Sequence, residues 1–333
     1  RVEPMRGHDF RAKRPRPHMS RCFGMLSACP ICWTTDDTDF TDDPQRDRQA
    51  RQRGQHKRTL QMTSLLSVVM PVWNGERHLA EAVESILRQS FFDFEFIVLD
   101  DGSTDSTPEI LREFSRRDTR IRVIALNHEG IVHALNRGIA EARASWIARM
   151  DCDDIAHPAR FEKQMQALSA YRDAILCHTG VRLVGDPALM SRQQRLPRTT
   201  AFLAVRLCFG SPIIHPGVVY SKTAVLKAGG YRPKERHAED YSLWGRMLAL
   251  GRFVGLPDSL LDLRVHAGSI SKKEADTQSR LTAEIAQRHC RQFMRLPESD
   301  AARAYNALRN SRRGQNFREW FWFISHCLPC MRW

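Results

Sequence analysis

The chain has 333 residues, 42% of them hydrophobic, and carries a formal net charge of +13. That length allows one large α/β domain with appendages, or two modest domains, with a sizeable core. A positive surplus of this size points to an anionic partner: phosphate groups, nucleic acid or an acidic membrane surface. The surplus is uneven, since Arg is concentrated toward the two ends and the middle is closer to balance. The nine cysteines are scattered rather than spaced as a disulfide framework, which predicts reduced thiols and a cytoplasmic setting. Two C-x-x-C pairs, Cys29/Cys32 and Cys327/Cys330, lie at opposite ends, which argues against one zinc site. No apolar stretch reaches the ~18 residues of a spanning helix, and the N-terminal segment has no signal-type apolar core.

Residues 1–61 are rich in Arg, Asp, Gln and Pro and lack apolar periodicity, so they are expected to be disordered and basic. The alternative is a basic arm that binds membrane or nucleic acid. Met62 stands before the first strong strand and is expected to open the folded part. Leu65–Val69 reads as a buried strand, Pro71–Gly75 as a turn and Arg77–Gln89 as a helix with apolar spacing. Phe94–Leu99 is a second buried strand, Thr107–Phe114 a helix and Ile121–Ala125 a third strand. Ile131–Arg143 follows as a helix and Trp146–Met150 as a fourth strand. This alternation predicts βαβ units in a doubly wound sheet. Ligands in such sheets bind at the carboxyl ends of strands, which here carry Pro71–Asn74, Asp100–Asp101 and Asp151–Asp154. Further along, Pro158–Leu168 and Ala238–Leu250 read as helices and Ile175–Leu183 as a strand. Ser211–Tyr220 is punctuated by Pro and Gly, and a long helical run follows Arg280.

Asp151-Cys152-Asp153-Asp154 is the sharpest chemical signal. Bunched carboxylates at a strand end repel one another unless a cation intervenes, and hard oxygen donors suit Mg²⁺ or Mn²⁺ shared with substrate phosphates. The competing reading is an acidic loop that caps the next helix. In Asp100-Asp101-Gly102-Ser103-Thr104-Asp105, helix capping accounts for Ser103 and Asp105 but not for the two adjacent acids. Asp240 is either a first-turn acid favoured by the helix dipole or a base positioned by that helix. His266 follows the apolar run Leu260–Leu263 and stands near a strand end.

Taken in order, five motifs resemble the inverting family 2 glycosyltransferases: Pro71-Val72-Trp73-Asn74-Gly75-Glu76, Asp100-Asp101-Gly102-Ser103, Ala148-Arg149-Met150-Asp151-Cys152-Asp153-Asp154, Glu239-Asp240, and His266 with Ser269. Ile214-His215-Pro216 is similar to that family's N-P-I-x-H-P stretch, with Ser211 where Asn is usual. The likeness covers about residues 65–271. It implies a GT-A fold, a Rossmann-like mixed α/β sheet flanked by helices. It divides the chain into a catalytic domain over 62–280 and a helical, aromatic extension over 281–333.

The resemblance also implies roles. Val72, Trp73 and Glu76 would line the nucleotide-sugar pocket, Asp101 would meet the base, and Asp151 would approach the ribose and diphosphate. Asp153 would hold a divalent cation, Mn²⁺ or Mg²⁺, with His266 completing its shell, and Asp240 would be the catalytic base. The implied partners are a nucleotide-sugar donor and a glycan or lipid-linked glycan acceptor, in cell-surface polysaccharide or glycolipid synthesis, with no specific nucleic acid. The aromatic, Arg-flanked tail Trp320–Trp333 suits either a helix lying on an anionic membrane or a helix packed on the core. The first option makes the protein peripheral on the inner face of the cell membrane. No G-x-G-x-x-G follows the first strand, which argues against a dinucleotide dehydrogenase. A catalytically inactive nucleotide-binding module and a basic nucleic-acid-binding protein remain the alternatives.

Overall fold

The computed structural model describes residues 66–185, 193–194, 200–265, 275–295 and 297–311. The expectations for residues 1–61, both C-x-x-C pairs, His266, Ser269 and the aromatic tail lie outside the described residues. The first strand, β1 (Leu66–Val72), is buried along its whole length. A strand covered on both faces reads as a continuous apolar run. Leu66, Val68, Met70 and Val72 enter one core layer and Val69 the other. Strand β2 (Phe94–Asp100) repeats the pattern, with Phe96 and Val98 on the first side and Ile97 and Leu99 on the second. Ser67 breaks the apolar run, and its hydroxyl donates to Glu95 Oε1 at 2.7 Å.

The chain continues through α1 (Leu79–Leu87), α2 (Thr107–Arg117), β3 (Ile121–Ala125), α3 (Ile131–Glu141), β4 (Trp146–Arg149), β5 (Ile155–Ala156) and α4 (Arg160–Ala170). Then come β6 (Ala174–Val184), β7 (Gln193–Gln194), α5 (Thr200–Leu207), β8 (Val218–Ser221), α6 (Lys222–Lys227), α7 (Glu239–Leu248) and β9 (Arg252–Arg264). Helices α8 (Ala275–Met294) and α9 (Glu298–Ser311) close the described part. The strand order is β3-β2-β1-β4-β8-β6-β9-β5, with β7 paired to β6. The first four strands are mutually parallel, whereas β8 runs antiparallel to both β4 and β6, and β9 is parallel to β6. The expected mixed sheet flanked by helices is therefore present.

Pro71 lies inside β1, opposite Leu99, rather than in a turn. The Val69 carbonyl points to β4 and accepts the Met150 N–H, while the Val72 carbonyl points to β2 and accepts the Asp101 N–H. By alternation the Pro71 nitrogen faces the β4 side beyond the paired residues, where the missing donor leaves no ladder bond unmade. Strand β8 escapes the sequence reading, and of β9 only the apolar end at Leu260–Leu263 is foreseen. Strand β8 is only four residues behind a Pro-Gly turn, and β9 contains Gly255, Pro257 and Asp258 and pairs with β6 through register shifts.

The C-terminal helices belong to the same core. Ile285, Ala286, Cys290 and Met294 of α8 pack with Leu207, Tyr241 and Trp244. Helix α8 begins at Ala275, so a boundary at residue 280 falls inside a helix. At Gly245 a Cβ would fall inside the buried His289 imidazole. The expected result for Gly245→Ala is a loss of about 1–3 kcal/mol in a denaturant titration, from overpacking, partly recovered when His289→Ala is added.

Candidate active site

The chain winds outward from β1 to β2 and β3, then returns through α3 to β4 on the other side of β1. That reversal opens a crevice at the carboxyl ends of β1 and β4, the usual ligand position in such sheets. Trp73–Glu76 follows β1, Asp101 follows β2, and Asp151–Asp154 follows β4 within two residues.

The loops after β1 and β2 are tied by reciprocal hydrogen bonds. The Asn74, Gly75 and Glu76 N–H groups donate to Ser103 Oγ at 2.9 Å, Thr107 Oγ1 at 2.8 Å and Asp105 Oδ2 at 3.1 Å. In return Thr104 N–H donates to Asn74 Oδ1 at 2.8 Å and Ser106 N–H to Glu76 Oε2 at 3.0 Å. Asp105 also takes the Thr107 N–H at 3.0 Å, but Ser103 serves the neighbouring loop rather than its own helix. Asn74 adopts a φ of 51°, a left-handed conformation that Asn tolerates better than most residues.

Asp101 is buried and accepts the Glu129 and Gly130 N–H groups at 2.9 and 2.8 Å, which fixes the entry to α3. His128, in the same connection, leans its ring on Trp73 at a centroid distance of 4.5 Å. Trp73 is 53% exposed, unusual for an indole, and offers a flat apolar face at the crevice.

Asp151, Asp153 and Asp154 bring carboxylate oxygens within 4.8 Å of one another. Asp154 is buried; its Oδ1 accepts the Arg264 N–H at 2.9 Å, and its Oδ2 has no partner among the described residues. The Arg264 guanidinium also bonds the Asp153 carbonyl at 2.9 Å. Burial and the neighbouring Asp151 and Asp153 hold the Asp154 carboxyl well above the usual carboxylate range. Burial raises Asp151 as well, against the pull of Arg149. Hard oxygens crowded in this way, one of them buried without a partner, fit a divalent cation.

Arg149 is the cation already built in. It is 2% exposed and ion-paired with Asp151. Its charge acts on Asp151 and Asp154 and also on Glu239 and Asp240 at the start of α7, so the two acidic groups share one field. Burial, then the charge of Glu239, pushes the half-buried Asp240 carboxyl up to about 7. Beneath them His215 Nε2 bonds the Tyr231 hydroxyl at 2.7 Å, and Tyr220 reaches the same hydroxyl at 3.3 Å. Burial drives the His215 imidazole well below its ordinary value, so the ring is neutral.

Three of these residues carry no site role in the sequence reading. Arg149 sits inside a recognised motif but is masked by the acids that follow it. His215 has only the Ile-His-Pro stretch as a signal, and nothing local marks Tyr231.

A family model, Glycosyl transferase family 2, matches residues 67–228. The putative glycosyltransferase EpsE of Bacillus subtilis is 32% identical over 240 residues, covering 71% of this chain and 84% of that protein. The chain belongs to glycosyl transferase family 2. This glycosyltransferase is also 29% identical over 221 residues to the O-antigen biosynthesis glycosyltransferase WbnJ of Escherichia coli, covering 64% of this chain and 85% of that protein. Its fold is similar to that of S. aureus TarS 1-349 in complex with UDP-GlcNAc. The TM-score there is 0.58 at 19% identity, over 74% of this chain and 72% of that one. It is also similar to the mannosyltransferase PcManGT of Pyrobaculum calidifontis, in complex with GDP-Man and Mn²⁺, with a TM-score of 0.51 at 14% identity over 87% and 88%. The fold is of the GT-A type.

The raised carboxyl pKa values of Asp151 and Asp154 make the acidic loop a pH-dependent liability. The native state holds protons there that the unfolded chain has released, so metal-free stability falls as pH rises above the ordinary carboxylate range. Cation binding displaces those protons and is favoured at higher pH. In thermal unfolding with EDTA, the melting temperature is expected to drop between pH 5 and 8 for this group. Added Mn²⁺ is expected to raise it more at pH 8 than at pH 5. An equal rise at both values would contradict the assignment.

Proposed function

We propose that this glycosyltransferase moves a sugar from a nucleoside diphosphate donor to a hydroxyl of a glycan or lipid-linked glycan, with inversion, in the assembly of a surface polysaccharide or glycolipid. One observation carries the reading. The Asp240 carboxyl is poised near neutrality on the first turn of α7, in the field of the same guanidinium that neutralises Asp151. A general base works best with a pKa near the operating pH. The name of the Escherichia coli relative supports the polysaccharide assignment.

In this reading Trp73 stacks on the nucleobase, Asp101 and Val72 shape the base end of the pocket, and Glu76 holds the loop that frames it. Asp151 meets the ribose and diphosphate. Asp153, with Asp151 and Asp154, would hold Mn²⁺ or Mg²⁺, and His266 would be the further ligand. When bound, the cation offsets the negative charge that gathers on the departing diphosphate. Asp240 accepts the acceptor hydroxyl proton as the new C–O bond forms at the anomeric carbon and the bond to the diphosphate breaks. The transition state has oxocarbenium character, as in glycoside hydrolysis. A lipid-linked acceptor would set the reaction on the cytoplasmic face of a membrane. Among the described residues no helix is long and apolar enough to cross one.

Asp240→Asn is expected to leave donor-induced thermal stabilisation intact and to lower transfer by about two to four orders of magnitude, the scale of a lost general base. In the native enzyme kcat/KM is expected to rise with pH through about 7, because only the ionised carboxylate accepts the proton. The raised pKa also means that this group stabilises the fold at low pH and that its contribution is lost as pH rises toward 7. Asp240→Asn should therefore melt at a higher temperature than the native enzyme at pH 8. Turnover retained at native kcat/KM would remove Asp240 from the mechanism.

A further inference from the structure

Away from the donor and base groups, a single carboxylate is outnumbered by cations. Glu235 ends the short 3₁₀ turn Pro233–Glu235 and is only 7% exposed. Arg288 of α8 reaches its Oε1 at 2.9 Å, Arg246 of α7 its Oε2 at 3.3 Å, and Arg232 its Oε1 at 3.9 Å. Beside it is a cavity of about 490 Å³ with Arg232, Lys234 and Arg288 on its wall and Glu284 as the one other acid. Three cations thus line the cavity against two carboxylates, and Arg246 adds a fourth positive charge through Glu235. Burial and the adjacent Arg232 and Arg288 weaken the hold of Arg246 on its proton. Its Nε has no partner among the described residues. Pro233, Leu281 and Ile285 form the apolar side of the same cavity.

We propose that this cavity is an anion site, separate from the donor crevice, that takes a phosphoryl group carried beside an apolar segment. Guanidinium forks match phosphate oxygens in geometry and charge. A volume of this order suits a small ligand, within the usual range of about 300–1,000 Å³. Glu235 organises the three arginines and leaves a positive surplus for the ligand to neutralise. None of the lining residues is a donor-site or base residue. Arg246 does not line the cavity, but its ion pair with Glu235 ties the site to α7, the helix that carries Asp240.

Titration calorimetry of the full chain with sodium pyrophosphate, in EDTA to silence a metal-dependent donor site, tests the shared chemistry. Saturable binding is expected. It should weaken about tenfold or more in Arg288→Gln, the scale of one lost charge-assisted contact, and weaken in Lys234→Gln, whose side chain makes no ion pair with Glu235. Binding should tighten in Glu235→Gln. No saturable binding, or one affinity across all variants, would overturn the site. Flotation with phosphatidylglycerol vesicles, against phosphatidylcholine alone, separates the sources. Reduced flotation in Arg288→Gln and Lys234→Gln identifies a lipid headgroup. Unchanged flotation with lost pyrophosphate binding identifies a soluble phosphorylated compound.

Discussion

The Arg149 guanidinium is buried at the end of β4 with Asp151 as its ion-pair partner, and the charge layout of the catalytic end depends on that placement. A buried cation is costly without a partner, and a bunch of buried carboxylates is costly without a cation. Each side of the arrangement makes the other tolerable. Arg160 fixes Arg149 from below. It is fully buried, bonds the Arg149 carbonyl at 2.8 Å and the Met150 sulfur at 3.3 Å, and is itself oriented by Gln164 at 3.1 Å. The acidic loop therefore starts from a backbone that buried side chains hold in place.

The order of the first four strands and the helices between them was legible because strands buried on both faces must be continuously apolar, and helices covering them must be apolar at helical spacing. Leu79, Val83 and Ile86 make that face on α1. Pro71 misled the reading, since proline signals a turn unless its missing donor points where nothing pairs. The antiparallel half was far less legible. Its strands are short or interrupted, and their partners lie far away in sequence, as with Ala174 beside Arg252. The acids of the site stood out because adjacent carboxylates at strand ends repel one another without a partner, although Asp101 also holds the entry to α3. Arg149, His215 and Tyr231 did not, because an arginine, a histidine or a tyrosine acquires its meaning only from what the fold sets beside it.

Helix α7 shows how stability and chemistry are combined in one element. Its first turn carries Glu239 and Asp240, its apolar residues Leu243, Trp244 and Met247 are in the core, and its outer side is covered by α8 at Gly245. The Tyr241 hydroxyl bonds the Leu207 carbonyl, and His289 of α8 reaches the same carbonyl at 3.1 Å. The C-terminal helices are thus part of the support for the proposed base, not an appendix to it.

The reciprocal bonds between the loops after β1 and β2 have a consequence for how such an enzyme can change. Asn74 and Glu76 on one loop are each donor and acceptor to the other, so neither loop has a self-sufficient shape. Exchanging one of them with a relative breaks partners on both sides, whereas exchanging the pair keeps the seam closed. The two segments behave as one heritable cassette, split in sequence by a helix and a strand. Trp73 and His128 lie outside the seam but are stacked on each other, and His128 Nδ1 lies 3.1 Å from the Asp101 carbonyl, so they form a second coupled pair.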